Sequence, residues 1–407
     1  MGTVENTMHQ NRRIVVTTFT IASIFILLSS ASADDWPMWR GPDRSGISTE
    51  SGWFKPGTTL TTVWEHEVGE GYSAVSVVGK CLYTMGNVKN NDEVVCLDTD
   101  SGAVVWKFTY PCKGDSYAGP RATPTVEGNR VYTFSRNGDL LCLDAATGKS
   151  VWSRELNGKI AASPGWGFAS SPTIYKNTII VNAGEHGMAF DKATGTTIWE
   201  SEKSGASYAT PVLYRAGDRD GVAIFAAKAI NGVVAATGEL LWKYNWKTDY
   251  DVHAATPVFI ADDRVFISSG YDRGSALLRI GKGGIEKIWE NKNLCSHFSS
   301  PILYKGMLYG INGNTGNGET RCIDPANGTV KWRTRDPGFG SLMLADGKLI
   351  ILSERGLLVI AEAAPGEYKE IFRKQILNET CWTVPVLANG NIYCRNHPGK
   401  LLCLRFK

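Results

Sequence analysis

"CLDAATGKSVW", residues 142–152, holds an aspartate, a glycine four positions later and a tryptophan eight positions later. On its own it could present an acid and a stacking platform to a ligand. Its copies decide otherwise. "CLDTDSGAVVW" ends at Trp106, "AFDKATGTTIW" at Trp199 and "CIDPANGTVKW" at Trp332, all with the same spacing. "GVVAATGELLW" puts Val234 in the aspartate place, "LRIGKGGIEKIW" keeps only Trp289, and "APGEYKEIF" offers Phe372. Successive landmarks stand 40 to 47 residues apart, the period of a four-stranded propeller blade.

The repeated residues suit a hairpin. An aspartate at a strand end accepts hydrogen bonds from turn amides two or three residues on. Glycine reverses the chain with positive φ at no Cβ cost. A tryptophan on the outer strand buries a large apolar surface against the next blade. Asp98, Gly102 and Trp106 therefore read as structure, as do Asp144, Gly148, Trp152, Asp191, Gly195, Trp199, Asp324, Gly328 and Trp332.

Each period also opens on a short strand with Ser-Pro or Thr-Pro, as in "ATPTVE", "SSPTIY", "YATPVLY", "AATPVFI" and "SSPILY". Alternating apolar runs between Gly and Asn turns support strands throughout. The last period, "TVPVLANGNIYCRNHPGKLLCLRFK", supplies three strands and ends. "TTLTTVWEHEV" at 58–68 is a tryptophan strand with no preceding partners. Placed as the fourth strand of the last blade, it removes the raw sheet edge and adds Trp64 to the series. The expected fold is all-β, a single eight-bladed propeller over 63–407, its ring closed by the N-terminal strand around Trp64.

The first residues read differently. Asn11, Arg12 and Arg13 precede an apolar run, Ile14–Leu28, and a small-residue stretch ending at Ala33, the pattern of a cleaved export signal over 1–33. No cysteine follows the cleavage point, so a lipid anchor is not expected, nor is a transmembrane span in the mature chain. Residues 34–62, opening "DDWPMWRGPDRSG", are expected to pack their Trp36 and Trp39 on the propeller. The 43 basic and 40 acidic residues are too balanced to attract nucleic acid. Nine cysteines invite disulfides, but Cys96, Cys142, Cys322 and Cys403 recur in equivalent strand contexts, as small core residues do.

The "SP/TP" openings and "LDxxTGxxxW" hairpins resemble the repeats of the quinoprotein-type family of propellers, which includes pyrroloquinoline quinone (PQQ) dehydrogenases and BamB-like exported scaffolds. The resemblance implies one of two activities. A dehydrogenase of alcohols or sugars would need PQQ, a carboxylate base, a Ca²⁺ ion on acidic and amide ligands, and commonly two neighbouring cysteines. No cysteines are neighbours here, and the blade openings "YSAV", "RATP", "ASSP" and "YATP" lack the ligand residues. No catalytic or metal-binding residue is assigned. The expectation is a non-catalytic, cofactor-free, monomeric binding protein of the periplasm or exterior, with envelope proteins or a small molecule as partner.

Any specific contact should lie where the copies differ. Aligned on the opening proline, His253 and His297 fall four residues before it. Tyr72, Arg121, Tyr208, Phe298 and Trp382 follow one position later. The hairpins between second and third strands add Arg136, His186, Arg273, Arg355 and His397 to the same face. Arg121, His186, Tyr208, His253, Arg273, His297, Trp382 and His397 are the candidate contacts for a ligand at the channel face.

Overall fold

The computed structural model describes residues 1–2, 34–114, 116–156, 165–202 and 205–407. The export-signal reading of 1–33 thus lies almost wholly outside the described residues. The remainder forms eight blades in chain order, each an antiparallel sheet of four strands, with a fifth, parallel strand added to one of them. Seven use consecutive strands, beginning with blade 1 at Ser76–Val78. The eighth joins Val386–Ala388, Asn391–Arg395 and Lys400–Phe406 to the N-terminal strand Leu60–Glu67. That strand starts three residues before Val63 and pairs Trp64 opposite Cys403. The ring closes as its sequence required.

The outer hairpin of every blade carries the same irregularity. Its register slips by one residue just before the outer aromatic, so that Val63, Val105, Val151 or Ile198 is skipped in the ladder. Blades 4 to 7 do the same before Trp242, Trp289, Trp332 and Phe372. A bulge of this kind re-aims the following side chain. Here it sets each indole on the face of the next blade. The residue paired with the indole is small in most blades: Cys96, Cys142, Ala189, Gly232, Cys322 or Cys403. This is why cysteine recurs. All nine cysteines are free thiols, eight of them buried.

The turn residues dock the neighbouring indole. Asp144 Oδ1 accepts from the Thr147 amide (2.9 Å), the Thr147 hydroxyl (2.8 Å) and the Ala146 amide (3.2 Å). Gly148 has φ +70°, and a Cβ there would sit 2.5 Å from the Trp106 ring of the preceding blade. Trp106 Nε1 in turn donates to Ala145 O at 2.8 Å. Trp64 to Thr99 O, Trp152 to Lys192 O and Trp289 to Pro325 O repeat the bond. Each hairpin is half of a joint whose other half lies one blade away.

The opening prolines mark a second joint, nearer the axis. Ser76 Oγ donates to Pro124 O (2.5 Å), Thr125 Oγ1 to Pro172 O (2.7 Å) and Thr173 Oγ1 to Pro211 O (2.8 Å). A proline carbonyl that carries no ladder bond is thus satisfied by the previous blade. Where blade 8 meets blade 1, the buried Arg395 does the work. It donates to Ser73 O (3.0 Å), Met85 O (2.7 Å) and Gly69 O (2.9 Å).

The segment before Leu60 crosses one end of the channel. The Trp36 backbone exchanges two 2.8 Å bonds with Val77 of blade 1, and Pro37 O accepts from Val126 of blade 2. Arg44 reaches Ile174 O of blade 3 (3.0 Å), Trp39 Nε1 reaches Thr256 Oγ1 of blade 5 (2.9 Å), and Arg40 reaches Pro301 O of blade 6 (2.8 Å). Ile47–Ser48 adds a parallel strand inside blade 7, and Glu50 accepts from Gly390 of blade 8 (2.7 Å). Trp53 and Phe54 then pack beside Phe372 and Phe406 on the way out to the closing strand. The N-terminal segment is a plug.

Candidate functional site

The innermost strands start at the open end of the channel, opposite the plug. Between them lies a cavity of about 330 Å³ with Trp39 of the plug in its wall. The loops that enter the blades supply most of the remaining wall, as their position ahead of each opening proline dictates.

Aromatic rings make a closed collar. Trp382, before blade 8, meets Tyr117 (centroids 6.0 Å apart), which meets Trp166 edge-on (6.3 Å), which meets Tyr250 (6.4 Å). The circuit returns through Tyr271 (4.8 Å), His297 (4.8 Å) and Phe298 (3.8 Å) to Trp382 (4.8 Å). Tyr117 and Tyr250 are 52% and 53% exposed, so the collar ends in an open aromatic rim. Trp382 is held by a bond from its Nε1 to Glu354 Oε1 (2.6 Å).

The candidate residues separate into three groups. Arg121, Tyr208, His297 and Trp382 line the cavity, together with Tyr72 and Phe298. His397 stacks on Tyr72 at 4.6 Å and supports the wall from behind, with Nε2 at 3.3 Å from Ala118 O. His253, Arg273 and His186 do not line it. His253 is fully buried, its Nδ1 2.8 Å from Ser269 Oγ and its Nε2 2.9 Å from Ala227 O, stacked on Phe225 at 4.3 Å. It joins blades 4 and 5. Arg273 lies 3.4 Å over the Trp246 ring and pairs with Glu290 (2.7 Å). His186 is half-buried in a blade 3 hairpin, where its backbone amide bonds Ser201 Oγ (3.1 Å).

Sequence reasoning missed Tyr117, Trp166, Tyr250, Tyr271 and the role of Trp39. A signal existed for three of them. Tyr117, Trp166 and Tyr250 stand seven, six and seven residues before the opening prolines Pro124, Pro172 and Pro257. Trp39 gave none, because nothing local says that its segment turns into the channel.

Electrostatically the wall is muted. Arg121 spends its terminal nitrogens on Gly119 O (3.2 Å) and Tyr117 O (2.8 Å), and it lies 5.6 Å over the Tyr72 ring. Burial pushes the Tyr72 phenol up to about 12 and the His297 imidazole down to about 3, so both are neutral at pH 7. Among the described residues no Asp, Glu, Lys or Cys lines the cavity, and no group of three or more His, Cys, Asp or Glu could hold a metal ion. These residues do not fit a PQQ–Ca²⁺ site, which needs carboxylate donors beside the quinone.

A family model described as outer membrane protein assembly factor BamB matches residues 90–334. The chain belongs to this family of PQQ-repeat propellers. Outer membrane protein assembly factor BamB of Moranella endobia (strain PCIT) is 24% identical over 309 residues, 71% of this chain and 75% of that protein. The crystal structure of BamB from Moraxella catarrhalis superposes with a TM-score of 0.61 at 16% identity, over 86% of this chain and 98% of that one. Quinohemoprotein alcohol dehydrogenase from Comamonas testosteroni gives 0.68 at 13% identity, over 91% and 80%. At such identities the two structures share the fold with this chain. Among the described residues no helix is long and apolar enough to cross a membrane.

Proposed function

We propose that this protein is an exported, non-catalytic binding propeller of the cell envelope, monomeric and in a BamB-like role. The observation that carries the reading is the wall of the channel cavity. Its described residues present aromatic faces and neutral hydroxyls, and among them is no carboxylate, thiol or amine that could serve as base, nucleophile or metal ligand. Family membership supports the envelope role, because the matching relatives are named for outer membrane assembly. The ligand or partner engages the channel face, where Arg121, Tyr208, His297 and Trp382 meet.

Two measurements test this. The purified protein is incubated with PQQ and Ca²⁺ and assayed for dye reduction with alcohols and sugars. No turnover is expected, and turnover would sink the non-catalytic reading. Fractionation of producing cells, with mass spectrometry of the N-terminus, should recover an envelope protein beginning at Asp34. Recovery of an intact N-terminus in the cytoplasm overturns export.

A further inference from the structure

The wall of the cavity discriminates by chemistry. Trp39, Phe298 and Trp382 offer flat apolar faces, and Ser171, Thr210, Asn314, Thr315 and Thr383 set hydroxyls and an amide between them. An ion entering this space would lose hydration with no carboxylate among the described lining residues to meet it and with Arg121 already bonded to backbone carbonyls. Ser171 Oγ, Thr210 Oγ1 and Asn314 Oδ1 already accept from the Thr123, Ser171 and Tyr271 amides. A hydrocarbon would still leave their remaining donors unmet, and with them the buried Thr383 hydroxyl, which has no partner among the described residues. A ring with apolar C–H faces and a hydroxyl edge satisfies both surfaces at once.

We propose that the cavity binds the terminal ring of a neutral saccharide. One face of a pyranose lies against the aromatic collar, and its hydroxyls reach the Ser, Thr and Asn side chains. The volume of about 330 Å³ sits at the lower end of the roughly 300–1,000 Å³ of small-molecule pockets, room for one or two sugar rings. The plug makes the channel a dead end, so the site takes a chain end and not the interior of a polymer. Tyr117 and Tyr250, half exposed at the rim, extend the contact to the next ring. The inference rests on the binding-protein reading above and names the ligand of that same site.

Calorimetry and tryptophan fluorescence of the purified protein with maltose, cellobiose and N,N′-diacetylchitobiose test it, beside benzoate and tetramethylammonium. At least one saccharide should saturate at millimolar concentration or below, more tightly than either ion. Maltoheptaose and β-cyclodextrin separate an end from an interior, since the cyclic sugar has no end. Tyr117→Ala, at an exposed position, should weaken binding about tenfold with an unchanged unfolding temperature. Lack of saturation by every saccharide, tighter binding of an ion, equal binding of the cyclic sugar, or an unaltered affinity in Tyr117→Ala overturns the proposal. Failure here without dye reduction removes the saccharide and leaves the binding protein. Dye reduction removes the latter as well.

Discussion

Two buried histidines set the acid limit of this protein. Burial holds the imidazoles of His253 and His297 down to about 3, while in the unfolded chain they protonate near pH 6.5. Because the folded pKa is the lower one, their contribution is complete above pH 6.5. It declines as the pH falls from there towards 3. A second, lower window comes from the turn carboxylates. Hydroxyl bonds from Ser101, Thr147 and Thr194 hold Asp98, Asp144 and Asp191 below the usual range, so their share is lost below about pH 4. Thermal melts should therefore show the unfolding temperature dropping well before carboxylates titrate. In His297→Phe, which keeps a ring against Phe298, the drop between pH 6 and 4 should shrink. An unchanged slope would show that His297 is not a cause of it.

At the scale of the element, the joint between hairpin and indole is the unit that repeats. Gly148→Ala places a methyl group against Trp106 at a positive φ, and should destabilise by more than about 1 kcal/mol. Trp152→Ala empties the next joint at a cost of about 3–5 kcal/mol. Urea unfolding measures both, and equal, negligible losses would deny the docking role. These hairpins were legible in the sequence because they repeat, and repetition separates packing residues from the rest. The entry loops do not repeat, and there the reading was mixed. His297 and Trp382 were placed on the cavity wall, yet His253, at the same offset as His297, turns inward to Ala227 and Ser269. Offset from the proline fixes where a residue starts, but the neighbouring blade decides which way its side chain points. Tyr117, Trp166 and Tyr250 escaped because they lie six or seven residues upstream of the opening prolines, beyond the stretch where the blades align.

For the whole molecule, two contacts complement the closing strand. Arg395→Met removes three donors from carbonyls at the junction of blades 8 and 1, and should cost about 3 kcal/mol or more in chemical denaturation. Deleting residues 34–46 removes the plug across blades 1 to 6. It should lower the unfolding temperature and let acrylamide quench the cavity tryptophans, with the blades themselves intact by circular dichroism. Unaltered quenching would mean that the far end of the channel is sealed by something else. The ring closure was readable from a simple count of strands. The place of the plug across the channel was not, since most of its bonds go to backbone atoms that no sequence pattern advertises.

The plug also imposes an order of events. Its partners are the innermost strands of nearly every blade, and the closing strand pairs with the final residues of the chain. The closing-strand contact cannot form until the last blade has been synthesised, and the plug completes its contacts only when the blades it crosses are in place. The closing strand, although it precedes every blade, therefore finds its seat last, and a long-range closure of this kind is slow compared with the local hairpins. A chain cut short at its C-terminus would leave the closing strand without a partner.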